Sequence, residues 1–92
     1  MGHLPPETLL KKRAELDRKL KTGGRYRHYK NRHIYQIHSL ALREEDDTFS
    51  VNYQDETTGL IFNRKADIFL EQVTDKHGKI VKRFERVKGE ER

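Results

Sequence analysis

Nine residues, Arg25-Tyr26-Arg27-His28-Tyr29-Lys30-Asn31-Arg32-His33, hold four cations, two tyrosines and two histidines with no acid among them. Rings interleaved with guanidinium and ammonium groups suit one chemistry in particular. The rings stack on the bases of a single-stranded nucleic acid while the cations meet its phosphates. Cations packed this densely repel one another on a folded surface unless something pairs with them. The run therefore marks a candidate contact surface. On a strand over Tyr26 to Tyr29, Tyr26 and His28 share one face and Arg27 and Tyr29 the other. One face is expected to meet the core and the other solvent. A competing reading makes the tyrosines core or rim residues and the cations the solvated guard of an edge strand.

Other chemistries find less support. His28, His33 and His38 are spaced by five, which matches no compact zinc pattern. On extended chain that odd spacing sends alternate members to opposite faces. His28 is expected instead to be partly buried and hydrogen-bonded, fixing the first strand. Glu44-Glu45-Asp46-Asp47, with Asp55 and Glu56 beyond, lacks the alternation and central glycine of a calcium loop. It reads as a solvated turn, or as the negative half of a contact with residues 25–32 of another copy. Ser39 and Ser50 are the only serines, and neither stands in a nucleophile elbow. His28 and Asp67 form a conceivable acid–base pair, but nothing in the sequence brings them together. Without cysteine there are no disulfides, thiolate metal sites or cysteine nucleophiles. A non-enzymatic protein with no metal and no cofactor is expected.

The elements that must position these residues fit one small domain of 92 residues, 33% hydrophobic and 38% charged. A mean hydropathy of −1.07 is polar for a globular chain, yet eight aromatics support a thin core. No apolar run reaches the ~20 residues of a membrane span. The N-terminus has no secretory h-region, and Pro6 stands where a myristoylation signal needs Ser or Thr. A soluble cytoplasmic protein is expected, with no membrane partner. Charge is unevenly arranged: residues 23–43 carry five cations and no acids, while residues 44–58 carry six acids and no cations. That interruption weakens a simple nucleic-acid reading, which expects positive charge over one face.

Residues 5–22 read as a helix, with Pro5 and Pro6 suited to its first turn, Glu7 to its dipole and Gly23-Gly24 to its stop. At ~100° per residue, Leu9, Leu16 and Leu20 fall within about 40° of one another, flanked by Leu10 and Ala14. From Gly24 the period becomes two. Strands are expected over Tyr26 to Tyr29, over Ile34 to Leu42 with a bend near Ser39, and over Phe49 to Tyr53. In the second, Tyr35, Ile37 and Ala41 are expected to alternate. Leu60-Ile61-Phe62 follows a turn at Thr57-Thr58-Gly59, and Asn63 to Asp67 reads as an irregular or 3₁₀ bridge. Phe69 to Val73 and Ile80 to Phe84 form a last hairpin around Asp75-Lys76-His77-Gly78. The divisions are residues 1–22, a helical extension; 23–87, a small β-barrel domain; and 88–92, a flexible tail. The fold class expected is mostly β, a small SH3-like antiparallel barrel with an N-terminal helix. An OB-like barrel is the alternative.

Gly24, then Tyr26-Arg27-His28-Tyr29-Lys30-Asn31, then Tyr35, resemble the opening signature of a bacterial family, domain-of-unknown-function family 1653. The likeness continues through Val51-Asn52-Tyr53, Gly59-Leu60, Phe62, Arg64, Phe69-Leu70-Glu71 and Arg83-Phe84, covering roughly residues 23–84. Members of that family typically have Trp at the position of Phe62 and Pro at that of Lys65. The resemblance implies a compact, mostly β bacterial domain and brings no activity with it.

A binding module is thus expected, using Tyr26, Arg27, His28, Tyr29, Lys30, Tyr35, Tyr53 and Arg64, with single-stranded nucleic acid as the first partner. The alternative is a protein-interaction domain that associates through the helix and the opposed charge blocks.

Overall fold

A computed structural model describes residues 4–88, so the expected tail lies, apart from Lys88, outside the described residues. Helix α1 (Pro6–Lys19) starts on Pro5, with Pro6 at its first position, Glu7 in the first turn and Arg18 and Lys19 in the last. It ends earlier than residue 22. Leu20 leaves the helix for extended backbone (φ −125°, ψ 115°) and drives its side chain into the core. Leu16 packs on that core, but Leu10 stays 64% exposed, so only a narrow seam of the expected stripe is used.

The strands are β1 (Arg25–His28), β2 (Ile34–Arg43), β3 (Thr48–Asp55), β4 (Ile61–Lys65), β5 (Gln72–Thr74), β6 (Ile80–Lys82) and β7 (Phe84–Arg86). A single helical turn, α2 (Ala66–Phe69), lies between β4 and β5. The main sheet has five strands in the order β4-β3-β2-β1-β7, all antiparallel, and β5 pairs with β6 alone. The sheet is not closed. Its edges are β4 and β7, because β5 and β6 pair with each other rather than bridging them. The barrel closure expected from the sequence is therefore absent from these pairings, whether SH3-like or OB-like.

The bend near Ser39 is a register shift between Ile37 and Ser39. The extra residue, His38, reverses the inward phase: Tyr35 and Ile37 point to the core before it, and Leu40 packs there after it. The expected alternation through Ala41 breaks for that reason. Strand β4 also runs on through Lys65, where an irregular bridge was expected. Asn63 holds it, donating from Nδ2 to Ser50 Oγ (2.9 Å) and Asn52 Oδ1 (2.8 Å). Phe69 belongs to α2 rather than to the hairpin, and Phe84 opens β7 opposite His28.

The core is built largely from rings. Phe69 stacks on Phe84 with centroids 4.1 Å apart, and Tyr26, Tyr35 and Tyr53 surround them edge-on. Leu20, Ile37, Val51 and Ala66 fill the rest. Because Leu20 is the clasp between helix and sheet, Leu20→Ala should cost about 2–5 kcal/mol. Leu10→Ala should stay within about 0.5 kcal/mol. Urea unfolding measures both, and equal midpoints for the two variants would mean that the helix does not depend on this clasp.

Candidate functional site

The eight residues expected at the site separate into three groups. Tyr26, Tyr35 and Tyr53 are buried and offer no ring face to a ligand. This corrects the reading of a platform built on them. The cause is that all three fall on the inward phase of their strands, against Phe69 and Phe84. Their hydroxyls are partnered: Tyr26 donates to the Lys19 carbonyl (3.4 Å), Tyr35 accepts from Asn31 Nδ2 (3.0 Å) and Tyr53 from Arg64 Nε (3.2 Å).

Arg27, Tyr29 and Lys30 form the second group. A cleft of about 560 Å³ lies between the β1–β2 turn and the β5–β6 turn, lined by Tyr29, Lys30, Arg32, Thr74, Lys76 and His77 with Asp75. A smaller cavity of about 100 Å³ shares Tyr29, Arg32 and Asp75 with it and adds Arg27, Val81, Lys82 and Glu85. The two make one groove with Tyr29 in its wall. Among the described residues, Arg27, Lys30, Arg32, Lys76 and Lys82 take part in no ion pair. Asp75 is committed to its turn, accepting the amides of His77 and Lys79 (both 2.9 Å). Arg32 has a φ of +66°, a left-handed conformation that costs a side-chain-bearing residue about 1–2 kcal/mol.

His28 and Arg64 make the third group. The Lys30 amide donates to His28 Nδ1 (3.1 Å), which leaves the proton of the neutral ring on Nε2. Burial lowers the His28 pKa below its ordinary value, and the charges of Arg64, Arg83, Lys30 and His33 push it further the same way. The ring contacts Phe84 (4.9 Å) and Tyr29 (5.1 Å).

Sequence reasoning missed the partners of the basic run. Arg25 makes two hydrogen bonds of 2.9 Å to Glu56, and His33 Nδ1 donates to Asp55 (2.8 Å). Burial pushes the Asp55 carboxyl up, but the His33 bond and the amides of Thr57 and Thr58 outweigh it and hold it below the usual range. Arg25 likewise lowers Glu56. The β2–β3 register puts Tyr35 opposite Asp55, and hairpin pairing was the signal that could have revealed these contacts. The Glu44–Asp47 turn is exposed except for Asp47, which is buried and accepts the Leu4 amide (2.7 Å). It is thus not wholly solvated.

A second groove, of about 340 Å³, runs between α1 and α2 over Leu16, Phe49 and Leu70. Its lysines (Lys12, Lys19, Lys65) are matched by as many acids (Glu15, Asp47, Asp67), so it selects no charge. Among the described residues no three His, Asp or Glu side chains are grouped to hold a metal, and no helix is long and apolar enough to cross a membrane.

The model of a family described as a protein of unknown function (DUF1653) matches residues 24–86. The chain belongs to that family. The match spans β1 to β7 and leaves α1 outside. No curated protein and no solved structure matched.

A lowered histidine pKa means that the unfolded chain binds the proton first. The contribution of His28 is therefore present above pH ~6.5 and is lost as pH falls from there through its folded value. Asp55 and Glu56, both lowered, contribute above the ordinary carboxylate range and fail below it. Urea midpoints should fall between pH 7.5 and 5.5, and more shallowly in His28→Asn, which keeps an acceptor for the Lys30 amide. Identical slopes in parent and variant would refute this assignment.

Proposed function

We propose that this protein is a non-enzymatic binding module that takes single-stranded nucleic acid along the groove beside Tyr29. The observation that carries the reading is that groove itself. It combines one aromatic wall with five cations, Arg27, Lys30, Arg32, Lys76 and Lys82, against two carboxylates, Asp75 and Glu85, and among the described residues none of the five cations is in an ion pair. Phosphates fit the cations and one base fits the face of Tyr29. Arg32 adds support, since a strained left-handed residue is cheaper as glycine unless the side chain is needed. We read the fold as an SH3-like barrel left open, a four-stranded meander whose last strand returns to β1. A cytoplasmic setting accompanies this reading, as a chain without cysteine needs no oxidising compartment.

Association through opposed charge blocks has less support, because Glu56 and Asp55 already meet Arg25 and His33 within one chain. Fluorescence anisotropy with a mixed-sequence single-stranded RNA, at ~50 and ~200 mM salt, tests the nucleic-acid reading. Tyr29→Ala should cost about 1–3 kcal/mol of binding. Arg32→Gly should weaken binding and flatten the salt slope by about one, while leaving the fold as stable or up to ~1 kcal/mol more so. Absence of binding at ~50 mM salt, or unchanged binding in both variants, overturns the proposal.

A further inference from the structure

We propose that the free edge of β4 is a docking site for an extended acidic segment of a partner protein, which adds to the five-stranded sheet as a further antiparallel strand. The edge shares no residue with the groove beside Tyr29 and does not require that reading.

Backbone geometry makes this edge a template. Strand β4 is an outer strand of its sheet, and its pairing with β3 runs from Gln54↔Ile61 to Ser50↔Lys65 without a shift of register. The Asp55 amide donates to the Leu60 carbonyl (2.9 Å), so Asp55 and Leu60 mark a hydrogen-bonded position. Bonded and non-bonded positions alternate along an antiparallel pair. Phe62 and Arg64 therefore bond to β3, while the N–H and C=O of Ile61 and Asn63 point away from it. Among the described residues no turn or side chain meets those four groups. Neither a bulge nor a proline blunts the strand.

The side chains divide the edge in two. One end is apolar: Leu60 is 60% exposed, Ile61 59% and Phe62 40%, with the Phe62 ring stacked on Tyr53 (5.7 Å). An added strand covers such a run while it satisfies the backbone beside it. The other end is cationic. Arg64 is held by the Tyr53 hydroxyl (3.2 Å) and, among the described residues, is in no ion pair. Lys65 lies 3.8 Å from Asp46 with both side chains exposed, a contact worth little.

Charge decides the occupant. In a second copy of β4, antiparallel and centred on Asn63, Arg64 and Lys65 face Phe62 and Ile61. Their cations then meet no acid. A segment that reads two acids, one polar residue and two apolar residues answers every position in turn. Its acids stand opposite Lys65 and Arg64, its polar residue opposite Asn63, and its apolar residues opposite Phe62 and Ile61. The cations thus guard the edge against chains like this one and admit an acidic one.

The test uses the full chain and the end-blocked peptide Gly-Glu-Glu-Thr-Val-Val-Gly, followed by amide NMR. With peptide in excess, hydrogen exchange should slow at the Ile61 and Asn63 amides and change little at Phe62 and Arg64, which already bond to β3. The same peptide with Lys in place of both Glu should bind about tenfold more weakly or worse. Ile61→Pro removes one outward N–H at an exposed position and should abolish binding while the rest of the spectrum is retained. Should that variant fail to fold, the exchange pattern of the parent chain still decides. No binding, equal binding of the two peptides, or protection confined to residues outside β4 overturns the proposal. Protection of Ile61 and Asn63 that grows with protein concentration alone overturns it in favour of a second copy. A single-stranded RNA that protects those amides and displaces the peptide overturns it in favour of nucleic acid.

Discussion

Three buried tyrosines carry hydroxyls that cannot be left without partners, and that demand ties the core of this protein to its surface. A buried phenol without a hydrogen bond costs about 1–3 kcal/mol, a large share of the stability that a chain of this size has. Tyr26 meets it at the end of α1, Tyr35 through Asn31 in the β1–β2 turn and Tyr53 through Arg64 on β4. The helix end, the basic turn and the edge strand are held by the same ring cluster. Residues that look like binding groups in the sequence are thus partly structural: Arg64 secures a core hydroxyl.

Charge follows a similar logic at a longer range. The basic run has no acid within it, yet the β3–β4 turn returns Glu56 to Arg25 and Asp55 to His33. These pairs engage the two ends of the run, and among the described residues the cations between them, Arg27, Lys30 and Arg32, are in no ion pair. Positive charge is thereby concentrated in one groove instead of being spread over the strand. The open edge at β4 has Leu60, Ile61 and Phe62 exposed, with Arg64 and Lys65 following on the same strand. Cations on an edge strand discourage another chain from pairing there.

Much of the fold was legible because alternation and turn residues are local signals. The β1–β2 turn, the bend at Ser39, the Glu44–Asp47 turn and the hairpin at Asp75 all follow from composition and period. The end of α1 was not legible, since Leu20 continues the helical pattern and leaves the helix only because the sheet has a place for it. Nor was the end of β4, where Asn63 is held by Ser50 and Asn52 from the neighbouring strand. Closure failed as an expectation because strand count and spacing do not say which strands pair.

By itself the sequence determined the class of the protein, mostly β with a leading helix, and singled out an unusual basic–aromatic run within the family match. Residue type and a period of two are sufficient for that, because each strand's faces are set by its own side chains. Only the tertiary structure decided which rings the core would take. Tyr26, Tyr35 and Tyr53 went inward to meet Phe69 and Phe84, while Tyr29, just past the end of β1, was left in the groove. Burial depends on what stands opposite, and for these rings it was decided by Phe69 of α2 and Phe84 of β7, which come later in the chain.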